Sequence, residues 1–180
     1  MTVLVRCLRT TLIGLALLCL LSCRAKIDLE GWRQAKWGMT EEEILDAFKG
    51  EAVRLNPPER YHQAVATVGI EFLQVNGFSF KAHFLLDEKT KRLFQVTIQP
   101  LHQEEVNRIP FVLRDAVKDG LTKKYGGASV KDGHTLKWIF PSTIIELDAQ
   151  EKSLGVDGSV SLVYRGRVMP PGTRSGSDNL

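Results

Sequence analysis

The chain has 180 residues, 43% of them hydrophobic, with 24 basic against 21 acidic side chains and a net charge of +3. Such a balance is too apolar for a disordered chain, and its charge does not point to a nucleic-acid partner. The three cysteines, Cys7, Cys19 and Cys23, all lie near the N-terminus, so no disulfide framework is available to the rest of the chain.

Arg6 and Arg9 precede an apolar stretch from Thr10 to Ser22, and no acidic residue occurs before Asp28. A positive end, a short apolar segment and a small residue at the cut are the layout of a secretory signal. The stretch is shorter than the roughly 20 apolar residues of a membrane-spanning helix, and lengthening it would draw both arginines into the bilayer. Leu20-Leu21-Ser22-Cys23 resembles the lipobox of bacterial lipoproteins. That resemblance implies a signal peptide over 1–22, cleavage after Ser22 and lipidation of Cys23, with diacylglycerol on the thiol and a further acyl group, such as palmitate, on the amine. Two or more acyl groups, at about 0.8 kcal/mol per buried methylene, suffice for stable anchoring. Arg24 follows the cysteine where enteric inner-membrane lipoproteins carry aspartate, so the resemblance implies the outer membrane, facing the periplasm. Without residues 1–22, 158 residues remain; Arg6 and Arg9 leave with the signal, so 22 basic side chains face 21 acidic ones and the charge falls to +1.

The mature chain divides into a polar tether over 23–30, one domain over 31–164 and a flexible tail over 165–180. Gly31-Trp32 and Trp37-Gly38 bracket the start of the domain. Thr40 and Glu43 are spaced as a capping box, Met39 and Ile44 as a hydrophobic staple, and Glu41 to Glu43 complement the positive helix end. This predicts a first helix ending near Gly50, with Ile44, Leu45, Ala47 and Phe48 on its buried face. A short strand over Ala52 to Leu55 is expected to break at Pro57-Pro58. Three strands follow: Tyr61 to Gln74, Phe78 to Leu86 and Arg92 to Gln99. In the second, Phe78, Phe80, Ala82, Phe84 and Leu86 share one face, with Ser79, Lys81 and His83 on the other.

Asn76-Gly77 invites a two-residue hairpin turn. A three-residue loop, Val75-Asn76-Gly77 with a bulge at Gly77, instead sets Phe72 opposite Phe80 and Val68 opposite Phe84. Large apolar side chains, at about 1.5–3 kcal/mol each, favour that second register. A second helix is predicted from His102 to Tyr125, with Val106, Ile109, Leu113, Val117, Gly120 and Leu121 as its stripe. Pro110 must lie in its opening turn or begin the helix itself. Gly126-Gly127 ends it, and strands follow over His134 to Phe140, Thr143 to Ala149 and Val156 to Tyr164. The order predicts an α+β domain: an antiparallel sheet of about six strands with two helices packed on one face. The two halves repeat the element order without a residue-level repeat.

Chemistry is sparse. The histidines His62, His83, His102 and His134 sit in separate elements without ligand-like spacing, and no cysteine pair or calcium loop is present, so neither metal nor cofactor is expected. No Gly-x-Ser-x-Gly elbow or P-loop occurs. His83 with Lys81 and Ser79 is the one cluster on a polar strand face, read either as a contact for a polar partner or as a solvated face. Trp32, Trp37 and Trp138 are read as buried anchors, with a groove lining as the alternative. Arg165-Gly166-Arg167 is weighed as a contact for anionic lipid headgroups.

The run Trp37-Gly38-Met39-Thr40-Glu41-Glu42-Glu43-Ile44 resembles a motif that opens many small bacterial envelope domains. Leu121 to Gly126, Trp138 and Leu162-Val163-Tyr164 look similar as well. More distantly, Gly38-Met39-Thr40 before a short helix looks like the small accessory lipoprotein of the outer-membrane β-barrel assembly machinery. The Gly-x-Pro that follows the helix there is replaced here by Gly50-Glu51-Ala52, and no binding residues carry over. The expected function is a membrane-anchored envelope lipoprotein that serves, without enzymatic activity, as a binding or scaffold module for another envelope protein. The alternatives are an envelope hydrolase with its site around His83 or His134, and a tethered inhibitor of a periplasmic enzyme.

Overall fold

The computed structural model describes residues 28–61 and 64–167. The lipobox, Cys23, most of the expected tether, His62 and residues 168–180 of the expected tail lie outside the described residues. Among those described, a small hairpin, β1 (Gly31–Trp32) and β2 (Ala35–Lys36), leads into helix α1 (Glu41–Ala47). Strands β3 (Val53–Tyr61), β4 (Ala64–Val75), β5 (Phe78–Asp87) and β6 (Leu93–Pro100) form one meander. Helices α2 (Gln103–Arg108) and α3 (Pro110–Tyr125) connect it to a second meander of β7 (Val130–Asp132), β8 (Thr135–Ile139), β9 (Thr143–Gln150) and β10 (Ser159–Gly166). The two meanders join through β6 and β10 into one antiparallel sheet of eight strands, ordered β3-β4-β5-β6-β10-β9-β8-β7.

This corrects the expected α+β fold of six strands and two helices: the described chain is mostly β, with short helices. Both extra strands have physical reasons. Pro57-Pro58 was expected to end a strand, but β3 lies at the sheet edge, where a missing N–H breaks no ladder. The chain bulges there, shifting register between Arg54 and Glu59, and then resumes pairing with β4. What looked like one strand from Tyr61 is thus the end of β3 and the whole of β4. The second addition, β7, has three exposed residues and pairs only with β8 across the Gly133-His134 turn, so it carries no apolar pattern to read.

The expected long helix divides at Ile109, whose φ of −140° is not helical, and Pro110 starts α3 at its first turn. Pro110, Leu113, Val117 and Leu121 are buried, whereas Gly120 is exposed and leaves the stripe. The start of α1 has the local chemistry its sequence demands: the Thr40 side chain accepts from Glu43 N at 3.3 Å, and Thr40 N donates to Glu43 Oε2 at 2.7 Å.

The β4–β5 hairpin satisfies both of its competing signals. Asn76 (φ 47°) and Gly77 (φ 87°) form the two-residue turn, with Val75 opposite Phe78. The extra residue lies in the strand at Glu71-Phe72 instead of in the loop, which restores Val68 opposite Phe84. Leu73, not Phe72, faces Phe80, and Phe72 is left 59% exposed. The expected loop bulge is therefore replaced by a strand bulge.

One core fills the space between the helices and the sheet. It brings Ile44, Val106, Leu113, Val117 and Leu121 of the helices against Val68, Phe84, Val96, Ile98, Ile145, Leu147 and Leu162. Trp32 sits in it against Phe48, Phe84 and Tyr164, with ring centroids 5.8–6.3 Å away. Trp138 is also buried and donates to Gly126 O at 2.8 Å, tying β8 to the end of α3. Trp37 is half-buried, donates to Thr143 Oγ1 at 2.8 Å and packs on Gly166, where a Cβ would lie 3.1 Å from its ring. Asp28 accepts from Ser142 N at 2.8 Å and from Ser142 Oγ, and Leu29 O accepts from Thr143 Oγ1. The end of the expected tether is thus fastened to the β8–β9 turn. At the same corner, β10 runs two residues past Tyr164, into the expected tail.

Candidate binding cleft

The sheet face opposite the helices carries a smaller buried cluster, Ala64, Ala66, Leu85 and Phe94, under Leu55 and Tyr61, and is open beside it; its side chains alternate with those of the main core. Because Ala82 and Phe84 point into the core, His83 and Lys81 of β5 must point outward. Beside them, β3 brings Glu59 and Tyr61, spaced two residues apart on one face. His83 Nδ1 lies 3.1 Å from Glu59 Oε2 and 3.1 Å from the Tyr61 hydroxyl, which itself donates to Glu59 Oε2 at 3.0 Å. Lys81 Nζ stands 3.7 Å from Glu59 Oε1.

The proton positions follow from the partners. The Tyr61 hydroxyl gives its one hydrogen to Glu59, so in its bond with His83 the imidazole is the donor. Nδ1–H therefore points at the Tyr61 oxygen, with Glu59 close by, and Nε2 holds the lone pair. Burial pushes the His83 pKa below its ordinary 6.5; the Glu59 charge opposes this and Lys81 reinforces it. The ring is neutral at pH 7. Tyr61 is pushed up to about 12, first by burial and then by its hydrogen bond to Glu59 and the charge there, so its hydroxyl remains a donor.

The His83 side chain is largely buried, and its Nε2, which has no hydrogen-bond partner among the described residues, is open to solvent at the cleft. The ring lines a cleft of 510 Å³ walled by Leu55, Phe72 and Leu101 and edged by Glu59, Glu71 and Lys81. Gly69 makes room at its floor: a Cβ there would meet Leu55 Cδ2 at 3.0 Å, the Ala82 carbonyl at 3.1 Å and His83 Cδ2 at 3.2 Å. Glu71 makes no ion pair or hydrogen bond among the described residues. The cleft size suits small ligands or single side chains, with apolar walls and few polar groups.

Of the cluster expected from sequence, His83 and Lys81 meet here, whereas Ser79 lies outside the lining and accepts from Gln74 Nε2 at 3.1 Å. His134 lies in the β7–β8 turn with its ring centroid 5.2 Å from that of Phe111, and His102 precedes α2 without capping it. Sequence reasoning missed Glu59, Tyr61, Gly69, Glu71 and Phe72. The two-residue spacing of Glu59 and Tyr61 was the available signal, obscured by the prolines before them. Arg165, weighed as a lipid contact, pairs instead with Glu146 at 3.0 Å, and Glu146 also meets Lys137 at 3.3 Å. The Arg167 amide donates to Ser142 O at 3.0 Å.

A second cleft of 320 Å³ lies on the helix side, lined by Trp32, Phe80, Val117, Leu121 and Tyr164. Its two cations are engaged: Arg33 bonds both Glu51 oxygens, and Lys124 sits 5.0 Å over the Tyr125 ring. It offers no unpartnered polar atom comparable to His83 Nε2.

No family model matches this chain, and no curated protein or solved structure matches it significantly.

Proposed function

We propose that the protein is a lipid-anchored cell-envelope module, held through Cys23 at the periplasmic face of the outer membrane, that binds another envelope protein without catalysing a reaction. The observation that carries the binding reading is the cleft on the open sheet face, where a buried imidazole with a free acceptor nitrogen lies beneath exposed Phe72 and Leu101. Exposed apolar side chains rimmed by polar groups are characteristic of interaction surfaces, and here Phe72 and Leu101 stand beside Glu59, Glu71 and Lys81. The anchor rests on the lipobox-like Leu20-Leu21-Ser22-Cys23. A tethered inhibitor of a periplasmic enzyme is one form the same binding activity takes.

A photo-crosslinking residue at Phe72, with Val112 on the exposed side of α3 as control, tests the surface in native membranes. A discrete product from position 72 and none from 112 is expected; no product from 72, or equal products from both, would overturn the reading. Cys23→Ala should abolish processing and sedimentation with membranes, and unchanged behaviour would remove the anchor.

The Glu59–His83 pair also supports a second reading as an envelope hydrolase, since a carboxylate on Nδ1 leaves Nε2 as a base. The lining supplies no serine, threonine or cysteine nucleophile, and Tyr61 is held protonated. Loss of ester or amide turnover in His83→Ala, with crosslinking at position 72 retained, would favour this reading over the first.

A further inference from the structure

We propose that the cleft receives an arginine side chain from a segment of the partner protein, its guanidinium held between the Glu71 carboxylate and His83 Nε2 and stacked on Phe72. The assignment rests on the binding reading above and specifies the chemistry at that surface.

Charge decides the sign of the ligand. Glu59 and Lys81 face each other at 3.7 Å and largely cancel, His83 is neutral, and Glu71 remains the uncompensated charge of the lining. An anionic ligand would meet the uncompensated Glu71 carboxylate. The unfilled hydrogen-bonding capacity has the same sense: the lone pair of His83 Nε2 and both oxygens of Glu71 accept and do not donate.

The strand bulge decides the shape. Glu71 and Phe72 together occupy the position opposite Lys81, between the Ile70–Ala82 and Leu73–Phe80 pairs, and both line the cleft. A regular strand would send these neighbours to opposite faces, and bulges re-aim side chains in this way beside functional sites. The result is a carboxylate next to an aromatic ring that is 59% exposed. A guanidinium matches the pair: it is planar, carries five donors and no acceptor, stacks on aromatic faces and is more weakly hydrated than an ammonium. Leu101 and Leu55 then cover the aliphatic stem.

The experiment titrates the mature full-length lipoprotein in detergent with the peptide acetyl-Gly-Arg-Gly-amide and with its citrulline counterpart, which keeps the shape and loses the charge. His83 ring and Phe72 resonances report binding. The arginine peptide should shift both, and the citrulline peptide should bind about tenfold more weakly, the usual scale for losing a charged hydrogen bond in a half-enclosed site. Glu71→Gln should weaken the arginine peptide by a similar factor and leave the fold intact by its unchanged amide spectrum. Glu59, Tyr61 and Lys81 are the titratable groups next to His83 and Glu71 shares its cleft, and binding should fall as the ring takes up a proton and Nε2 ceases to accept. Equal affinity for the two peptides, or no effect of Glu71→Gln, overturns the assignment. Crosslinks from position 72 without arginine-peptide binding would leave the binding module standing and end the arginine reading alone. Arginine-peptide binding without crosslinks would retain the arginine site and count against a partner in the envelope.

Discussion

A methyl group at Gly69 would fill the floor of the cleft, and its cost can be worked from three contacts. The new Cβ would lie 3.0 Å from Leu55 Cδ2, 3.1 Å from the Ala82 carbonyl and 3.2 Å from His83 Cδ2. Leu55 is half-buried and can swing aside. The other two cannot move freely, because Ala82 belongs to the β4–β5 ladder and His83 is held through Nδ1 by Glu59 and Tyr61. Overpacking of this kind costs about 1–3 kcal/mol. The same substitution restricts the unfolded chain and returns about 0.4–1 kcal/mol, since the Gly69 backbone is not in the left-handed region. Sterics win, and Gly69→Ala should destabilise by about 1 kcal/mol. With a urea dependence of about 2 kcal/mol per molar, the unfolding midpoint should fall by about 0.5 M at constant slope. The His83 ring resonances should move with it, and arginine-peptide binding should weaken. A midpoint unchanged or raised, with His83 resonances undisturbed, would refute the packing argument and the role given to Gly69.

The electrostatics of His83 can be tested by NMR titration: Glu59→Gln should lower its midpoint further and Lys81→Met should raise it, and shifts of the reverse sign would contradict the arrangement. Because the fold prefers the neutral ring, the unfolded chain takes up the proton first. This contribution to stability is therefore full above the ordinary 6.5 and is lost as pH falls through the depressed folded value. Urea midpoints at pH 7.5 and 5.5 should differ less in His83→Gln than in the wild type; a larger difference would count against it. Phe84→Ala removes a fully buried ring that packs, tilted, with its centroid 5.8 Å from that of Trp32 and 5.2 Å from that of Phe48, and should cost about 3–5 kcal/mol by denaturant unfolding.

What the sequence made legible was local. Thr40 and Glu43 cap a helix by reaching three residues, and β5 alternates because one face is core, so both could be read without tertiary context. The β4–β5 hairpin held two true signals that appeared to compete, the Asn76-Gly77 turn and the Val68–Phe84 pairing; moving the extra residue into the strand satisfies both. The expected strand over Ala52 to Leu55 was the start of β3; its continuation was hidden because prolines count against a strand until its edge position is known, and β7 because three solvated residues carry no pattern. The cleft was half visible. His83 and Lys81 declared themselves on the polar face of β5, but Glu59 and Tyr61 reach them only through the β3–β4 pairing. The exposed Phe72 exists only because of the bulge.

The clasp between Asp28 and Ser142 fixes where the chain joins the sheet. Cys23 lies five residues before Asp28, a span of at most about 17 Å when fully extended. A lipid on that cysteine would therefore keep the domain on a short leash, with the β8–β9 corner nearest the headgroups. Through the strand register, the β5–β6 turn shares that corner's end of the sheet, whereas Leu101 and the Asn76-Gly77 turn lie at the far end. The Leu101 wall of the cleft would then stand at the end of the sheet farther from the bilayer.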